Sequence, residues 1–399
     1  MARRSVRASG GAVRGEGHGQ APGQSQGQEQ GIPLASSDAR ARRDGALKAE
    51  RAAPFLFGGQ SVAPGTRALI DLPVALLSNH TPVTLPVHVI HGRRAGPTVF
   101  ISAAIHGDEV VGIEIIRRLL NTPALKRVQG TLLLIPIVNA FGFIAGSRYL
   151  PDRRDLNRAF PGAAKGSLAG QLAHLFLNDI AMRCELGIDL HTGAINRTNL
   201  PQLRGDFSRP ALRELAVAFG APVILQSRLR EGSLRAEAAA RGVDVLLYEA
   251  GEALRLDELA IRVGVRGVLN ILAARGLIRG RRAKAKAVPV IAQTSRWIRA
   301  PEAGLFQAVR APGDSVSADD VIGRITNPYE GTIFDVRASG PGIIIGGTTV
   351  SVVNQADALF HIADVARPEQ AEDRIGLIAE AAQGGPIFDE DEDATEPAR

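Results

Sequence analysis

Hydrophobic and polar positions divide the chain into segments of different texture. Residues 1 to about 50 are rich in Gly, Gln, Arg and Ser and show no hydrophobic period. Such a stretch cannot bury enough apolar surface to offset chain entropy, so a disordered tail is expected over 1–50. From Ser61 to about residue 280 strand and helix patterns alternate. Ala68–Pro73 and Val83–Ile90 alternate like half-buried strands. After the Gly96-Pro97 turn signal, Thr98–Ile105 is an apolar run, the mark of a buried strand. Asp108–Leu120 then carries Val111, Ile115, Ile116 and Leu119 at helical spacing. Gly130 opens a further strand, Thr131–Val138, and Phe141–Gly166 reads as loop. A helix over Ser167–Arg183, a strand over Leu186–Leu190 and a helix over Pro210–Phe219 follow. Next come a strand (Pro222–Leu225), a helix (Ser233–Arg241), a strand (Val243–Tyr248) and a long helix (Leu254–Arg275). This alternation predicts an α/β domain over 61–280, with a mixed, largely parallel sheet flanked by helices.

Beyond the basic run Arg279–Lys286 the texture changes. Residues 288–362 hold short strands between Gly and Pro turns, which predicts a small C-terminal all-β domain. Ala311–Val316 followed by Val321-Ile-Gly323 is similar to the rhythm of lipoyl- or biotinyl-type barrels, but 288–362 contains no lysine to carry such a group. Residues 367–399 read as an acidic tail with one short helix near Ile375–Ala382.

Composition narrows the class. The chain has 399 residues, 45% hydrophobic and 22% charged, which suits a globular protein with a sizeable core. Aromatic residues make up only 4%, so the core is built from aliphatic side chains. The single cysteine, Cys184, excludes an internal disulfide framework and is expected to be a buried, inert thiol. The net charge of +6 comes without an aromatic-rich basic stripe, so nucleic acid is not an expected partner. No apolar run reaches the roughly 18 residues of a membrane span, and no apolar stretch follows the N-terminal arginines. Neither a membrane nor a secretory route is expected, which leaves the cytoplasm.

The chemistry is concentrated at the ends of the predicted strands. His106, Asn139, His191 and Glu249 all fall there, where ligands sit in open α/β sheets. His106 and Glu109 are three apart at a strand-to-helix switch, a spacing that lets an imidazole and a carboxylate converge on one metal ion. With His191, in Asp189-Leu-His-Thr-Gly193, they supply the three N/O ligands of a catalytic zinc. The competing reading is of histidines hydrogen-bonded at loop starts. Asp108 is either a partner of a ligand or a helix N-terminal acid. Glu249, in Tyr248-Glu-Ala-Gly-Glu252, is a candidate general base and acid beside a metal-activated water, with Glu252 as competitor. Arg148, Asn157 and Arg158, in Arg148–Gly162, suit a carboxylate-bearing substrate. Alone, that segment reads more readily as a surface loop with structural ion pairs to Asp152 and Asp155.

Taken together and in this order, His-Gly-Asp-Glu109, Arg148-Tyr-Leu…Asp-Leu-Asn-Arg-Ala-Phe-Pro-Gly162, Asp189-Leu-His-Thr-Gly193 and Tyr248-Glu-Ala-Gly251 resemble the succinylglutamate desuccinylase/aspartoacylase family, which is related to the zinc carboxypeptidases. The resemblance spans roughly 65–362. It implies a zinc carboxypeptidase-like fold and one zinc ion per subunit, held by His106, Glu109 and His191. It further implies Glu249 as general base and acid, Arg148 as the group that polarises the scissile carbonyl, and Asn157 and Arg158 as the hold on a substrate carboxylate. Asp108 departs from the asparagine that many relatives carry. The expected activity is hydrolysis of the amide bond of a small-molecule N-acyl amino acid or related N-acyl amine. A peptide-cleaving metallocarboxypeptidase and a non-catalytic metal-binding regulatory protein are the alternatives. Further copies of the same chain are the one macromolecular partner left open.

Overall fold

The computed structural model describes residues 50–280 and 287–384. The expected N-terminal tail, most of the basic run and the acidic stretch Phe388–Asp393 lie outside the described residues. A hairpin of β1 (Phe55–Phe57) and β2 (Gln60–Val62) comes first. The α/β region then runs through β3 (Thr66–Leu76), β4 (Pro82–His91), β5 (Thr98–Ala103), β6 (Thr131–Ile135), β7 (Leu186–Gly193), β8 (Arg197–Gly205), β9 (Val223–Gln226) and β10 (Asp244–Glu252). Its helices are α1 (Val111–Leu120), α2 (Ala140–Ala145), α3 (Leu168–Leu175), α4 (Pro210–Phe219), α5 (Leu234–Ala240) and α6 (Glu258–Ala274). The C-terminal region adds β11 (Val290–Ala292), β12 (Ser295–Arg299), β13 (Gly304–Ala308), β14 (Ser315–Val316), β15 (Val321–Thr326), β16 (Ile333–Arg337), β17 (Gly342–Thr348), β18 (Val352–Val353), β19 (Ala358–Ala363) and α7 (Pro368–Gly384).

One 13-stranded sheet carries the molecule, in the order β12-β19-β17-β8-β10-β7-β5-β6-β4-β3, with β9, β11 and β14 attached beside it. The middle strands β6, β5, β7 and β10 are parallel, and antiparallel strands join on both sides. The sheet is mixed, as expected, with helices on its faces and an all-β stretch over 290–363. β5, β6 and β7 are buried almost throughout, which is why β5 and β6 are mostly apolar and the polar residues of β7 are site residues. Alternate residues serve opposite cores: Ile101 and Leu134 pack with Ile115 and Leu272, and Phe100 and Leu133 with Leu172 and Phe176. The Tyr248 phenol, fully buried, donates to the Ala260 carbonyl at 2.7 Å, which ties α6 to β10. Cys184 is buried and burial raises its thiol pKa, in keeping with an inert role.

Several boundaries differ from expectation. The first helix begins at Val111 rather than Asp108, because residues 106–109 form a turn closed by Glu109 N–H donating to the His106 carbonyl at 3.1 Å. The expected loop after Val138 holds the helix α2, which Asn139 caps by accepting from Gly142 N–H at 2.8 Å. Asn139 is thus a capping residue, and its amide also bonds the Arg148 carbonyl. Strand β8 was not anticipated: Thr198-Asn-Leu-Pro-Gln-Leu203 mixes polar residues with a proline and lacks clean alternation. The C-terminal helix is 17 residues long, Pro368–Gly384, and starts well before Ile375. Among the described residues no helix is long and apolar enough to cross a membrane.

Gly107 is fixed by close approach. A Cβ there would lie 2.0 Å from the Gly142 carbonyl carbon and 2.1 Å from the Phe143 nitrogen. Gly107→Ala is therefore expected to push α2 away from the end of β5, at a cost of roughly 1–3 kcal/mol. Denaturant unfolding measures this, and a midpoint equal to that of the parent protein would contradict it.

Candidate active site

The site lies along the carboxyl ends of β5, β7 and β10. The chain leaves β5 through Ala104, whose φ of 52° is left-handed, and this turn delivers His106 and Glu109 to the sheet edge. His191 comes from β7, within the strand rather than after it. The three side chains are buried, and their ligand atoms lie within 4.8 Å of one another. Glu109 is the hub: Oε1 meets His106 Nδ1 at 2.7 Å and Oε2 meets His191 Nδ1 at 2.7 Å. The Thr192 amide adds a donor to Oε2 at 3.2 Å.

Each imidazole is fixed from behind by a second carboxylate. His106 Nε2 lies 3.0 Å from Asp155 Oδ1, and His191 Nε2 lies 2.7 Å from Asp189 Oδ2. Asp189 in turn accepts from the Ser102 hydroxyl at 2.8 Å, across the β5–β7 register. Carboxylates that orient a histidine through its far nitrogen are a recurring support of metal ligands. Asp155 and Asp189 take this part, and Asp108 does not: its Oδ1 is buried and has no hydrogen-bond partner among the described residues. Asp189 was readable, since residues two apart on a strand share a face. Asp155 was not, because only the folded loop brings it to His106. Asp189→Asn is expected to weaken metal affinity by roughly 10–100-fold. A competitive chelator titration reads this directly, and unchanged affinity would remove Asp189 from the support of the site.

Electrostatics follow from this packing. Burial alone would raise the Glu109 carboxyl, but the two imidazoles outweigh it and hold the group ionised. Burial would likewise lower His191, yet Asp189 and Glu109 raise it well above the ordinary imidazole value. Burial opposes ionisation of Asp155 too, and His106 and Arg148 overcome it. A buried set of two nitrogens and a carboxylate, with both far nitrogens held by acids, fits a divalent cation such as zinc.

The other candidate residues face the same space. Arg148 donates to Asp155 Oδ2 through Nη2 at 2.9 Å and approaches Glu109 Oε1 at 3.4 Å. Glu249 is the direct register partner of His191, and its Oε2 accepts from Asn199 at 2.8 Å and lies 3.2 Å from Arg204 Nη1. Glu252 is committed elsewhere, to the Asn196 amide at 3.0 Å and the Thr349 hydroxyl at 3.1 Å. Asn157 accepts from the Leu234 amide at the start of α5 at 3.0 Å, and Arg158 bonds the Asn157 carbonyl. His106, Glu109, His191, Arg148, Asn157, Arg158 and Glu249 all line one cavity of about 480 Å³. Seven arginines and only two carboxylates line it.

Residues 95–275 match the family model of the succinylglutamate desuccinylase/aspartoacylase catalytic domain. Over this stretch the chain is similar to the succinylglutamate desuccinylase/aspartoacylase family. The matched segment contains every candidate residue named above. N-alpha-acetyl-L-2,4-diaminobutyric acid deacetylase of Halomonas elongata is 29% identical over 297 residues, covering 71% of this chain and 86% of that protein. A succinylglutamate desuccinylase/aspartoacylase structure from Rhodobacter sphaeroides superimposes with a TM-score of 0.68 at 27% identity, covering 75% of this chain and 96% of its own. The product-bound ectoine utilization protein EutE (DoeB) of Ruegeria pomeroyi, at 23% identity over 75% of this chain and 95% of its own, has the same fold with a TM-score of 0.68. These coverages extend past the catalytic region, so the family fold takes in C-terminal strands as well.

Proposed function

We propose that this protein is a zinc-dependent deacylase that hydrolyses the amide bond of an N-acyl amino acid. The observation that supports this most is the convergence of His106, Glu109 and His191 on one point, with Glu249 in register beside His191 and opening on the same cavity. The deacetylase activity named for the Halomonas elongata relative agrees with this reading.

His106, Glu109 and His191 would hold the zinc ion, which when bound would supply Lewis acidity at the site. Glu249 takes a proton from the attacking water and passes it to the departing amine. Its bonds to Asn199 and Arg204 fix the carboxylate, leaving it little freedom to turn away from the cavity. Arg148, braced by Asp155, faces the developing oxyanion and donates to it. Asn157 and Arg158 hold the carboxylate of the amino-acid half. Burial lowers the Arg158 pKa, and no carboxylate pairs with it at salt-bridge distance among the described residues, so its charge is free for a ligand. The products are a carboxylic acid and a free amino acid.

The metal-loaded protein is expected to hydrolyse members of an N-acetyl and N-succinyl amino-acid panel faster than unblocked dipeptides. Chelation should abolish turnover and zinc should restore it. Faster cleavage of dipeptides, or turnover that survives complete metal removal, would overturn the reading.

A further inference from the structure

The cavity does not end at the catalytic carboxylate. It continues past Arg197 of β8 onto the C-terminal strands, where Trp297 and His361 line it. Asn157 and Arg158 come to the cavity from a different part of the chain, the loop after α2. Asp155, three residues before Arg158, bonds His106 just beyond β5, whereas Trp297 and His361 stand on β12 and β19, beyond β8 and β17. In register, Trp297 pairs with His361, His361 with Gly346, and Gly346 with Asn199, the residue that holds Glu249. Gly346 keeps this row low, since a Cβ there would fall 2.7 Å from Asn199 Oδ1.

Two stacked rings and an arginine meet at this end. The Trp297 and His361 rings are 4.4 Å apart and 5° from parallel, and the Arg197 guanidinium carbon lies 5.2 Å from the Trp297 ring centre. His361 is buried and anchored on the Ser295 hydroxyl at 2.8 Å. Burial and nearby Arg204 push its pKa down to about 3, so the imidazole adds no charge to the stack. The indole is 40% exposed. Arg197 pairs with no carboxylate at salt-bridge distance among the described residues. The Arg197 guanidinium sits over the indole and makes no side-chain hydrogen bond among the described residues, and its N–H fork matches the two oxygens of a carboxylate.

We propose that Arg197, backed by Trp297 and His361, forms a second carboxylate-binding subsite at the end of the cavity remote from Asn157 and Arg158. It rests on the deacylase reading for its orientation: with the amino-acid carboxylate at Arg158, the group reaching Arg197 is the far end of the acyl chain. The C-terminal β region then selects acyl groups that end in their own carboxylate, over acetyl.

Trp297 is the one tryptophan of the chain, so its fluorescence reports this subsite without reference to turnover. The full-length, zinc-loaded protein is titrated with succinate and glutarate, with acetate as reference. A saturable change is expected with the dicarboxylates at concentrations at least tenfold below any acetate response. Arg197→Gln should weaken it about tenfold or more, and Arg197→Lys by less, since it keeps the charge but loses the fork. In turnover, Arg197→Gln should narrow the KM ratio between N-acetyl and N-succinyl forms of one amino acid at least tenfold. An indole that does not respond to dicarboxylates, or an Arg197→Gln protein that binds them as tightly as its parent, overturns the subsite. Arg197-dependent binding in a protein that cleaves no N-acyl amino acid would instead sink the deacylase reading and leave the subsite standing.

Discussion

Glu249→Gln is expected to bind zinc as its parent does and to lose roughly 10²–10⁴-fold in kcat, the range contributed by a positioned general acid–base. Glutamine preserves shape and still accepts from Asn199 through its carbonyl, so the wall of the cavity should stand. What disappears is the capacity to take a proton from water and return it to the amine. KM should move little, because Glu249 belongs to the strand wall rather than to the Asn157–Arg158 anchor. Steady-state kinetics beside metal analysis make the check. A glutamine protein with parental kcat and full zinc would remove Glu249 from the reaction. Glu252→Gln is the natural control, because its carboxylate is spent on the Asn196 amide and the Thr349 hydroxyl.

His191→Ala should behave differently, losing zinc and activity together. The substitution deletes the ring that bridges Glu109 and Asp189, and leaves two buried carboxylates facing a void. Breaking a buried ionic network on one side costs about 3–5 kcal/mol in comparable cases. The Thr192 amide and the Ser102 hydroxyl still serve those carboxylates, so the loss should fall at the lower end of that range. Metal analysis and denaturant unfolding on one preparation separate the two effects. Retention of stoichiometric zinc would rule out His191 as a ligand. The contrast with Glu249→Gln, which keeps its metal, divides binding from chemistry.

Much of this arrangement could be read from the chain. His106 and Glu109 were legible because β5 is a largely apolar run and its end is abrupt. His191 and Glu249 were legible for the same reason, although both stand inside longer strands than expected; the polar residues that follow them hide two or three further ladder positions. Polar strands were harder. β8 has a proline and several hydrogen-bonding side chains, and the partners that make it a strand, β10 and β17, lie about 50 and 150 residues further along the chain. Asn139 illustrates the opposite error, since its place after an apolar run is equally that of a helix cap. Asp155 could not be found from spacing. It reaches His106 only because the loop after α2 folds back over the sheet edge, with Arg148 on its other oxygen.

The continuity of the sheet across β8 bears on how such a protein could be cut or recombined. Arg197–Asn199 pair with β17, and β9 pairs with β11, so C-terminal strands seal two open borders of the catalytic half. A chain ending near Gly280 would present both borders as bare ladders, the kind of unprotected edge that recruits other chains. Aggregation on expression, rather than a smaller working enzyme, is the expected fate of that fragment. By the same logic, grafting a foreign C-terminal region would require matching its backbone register to Thr198 and Asn199, not only providing a linker of suitable length.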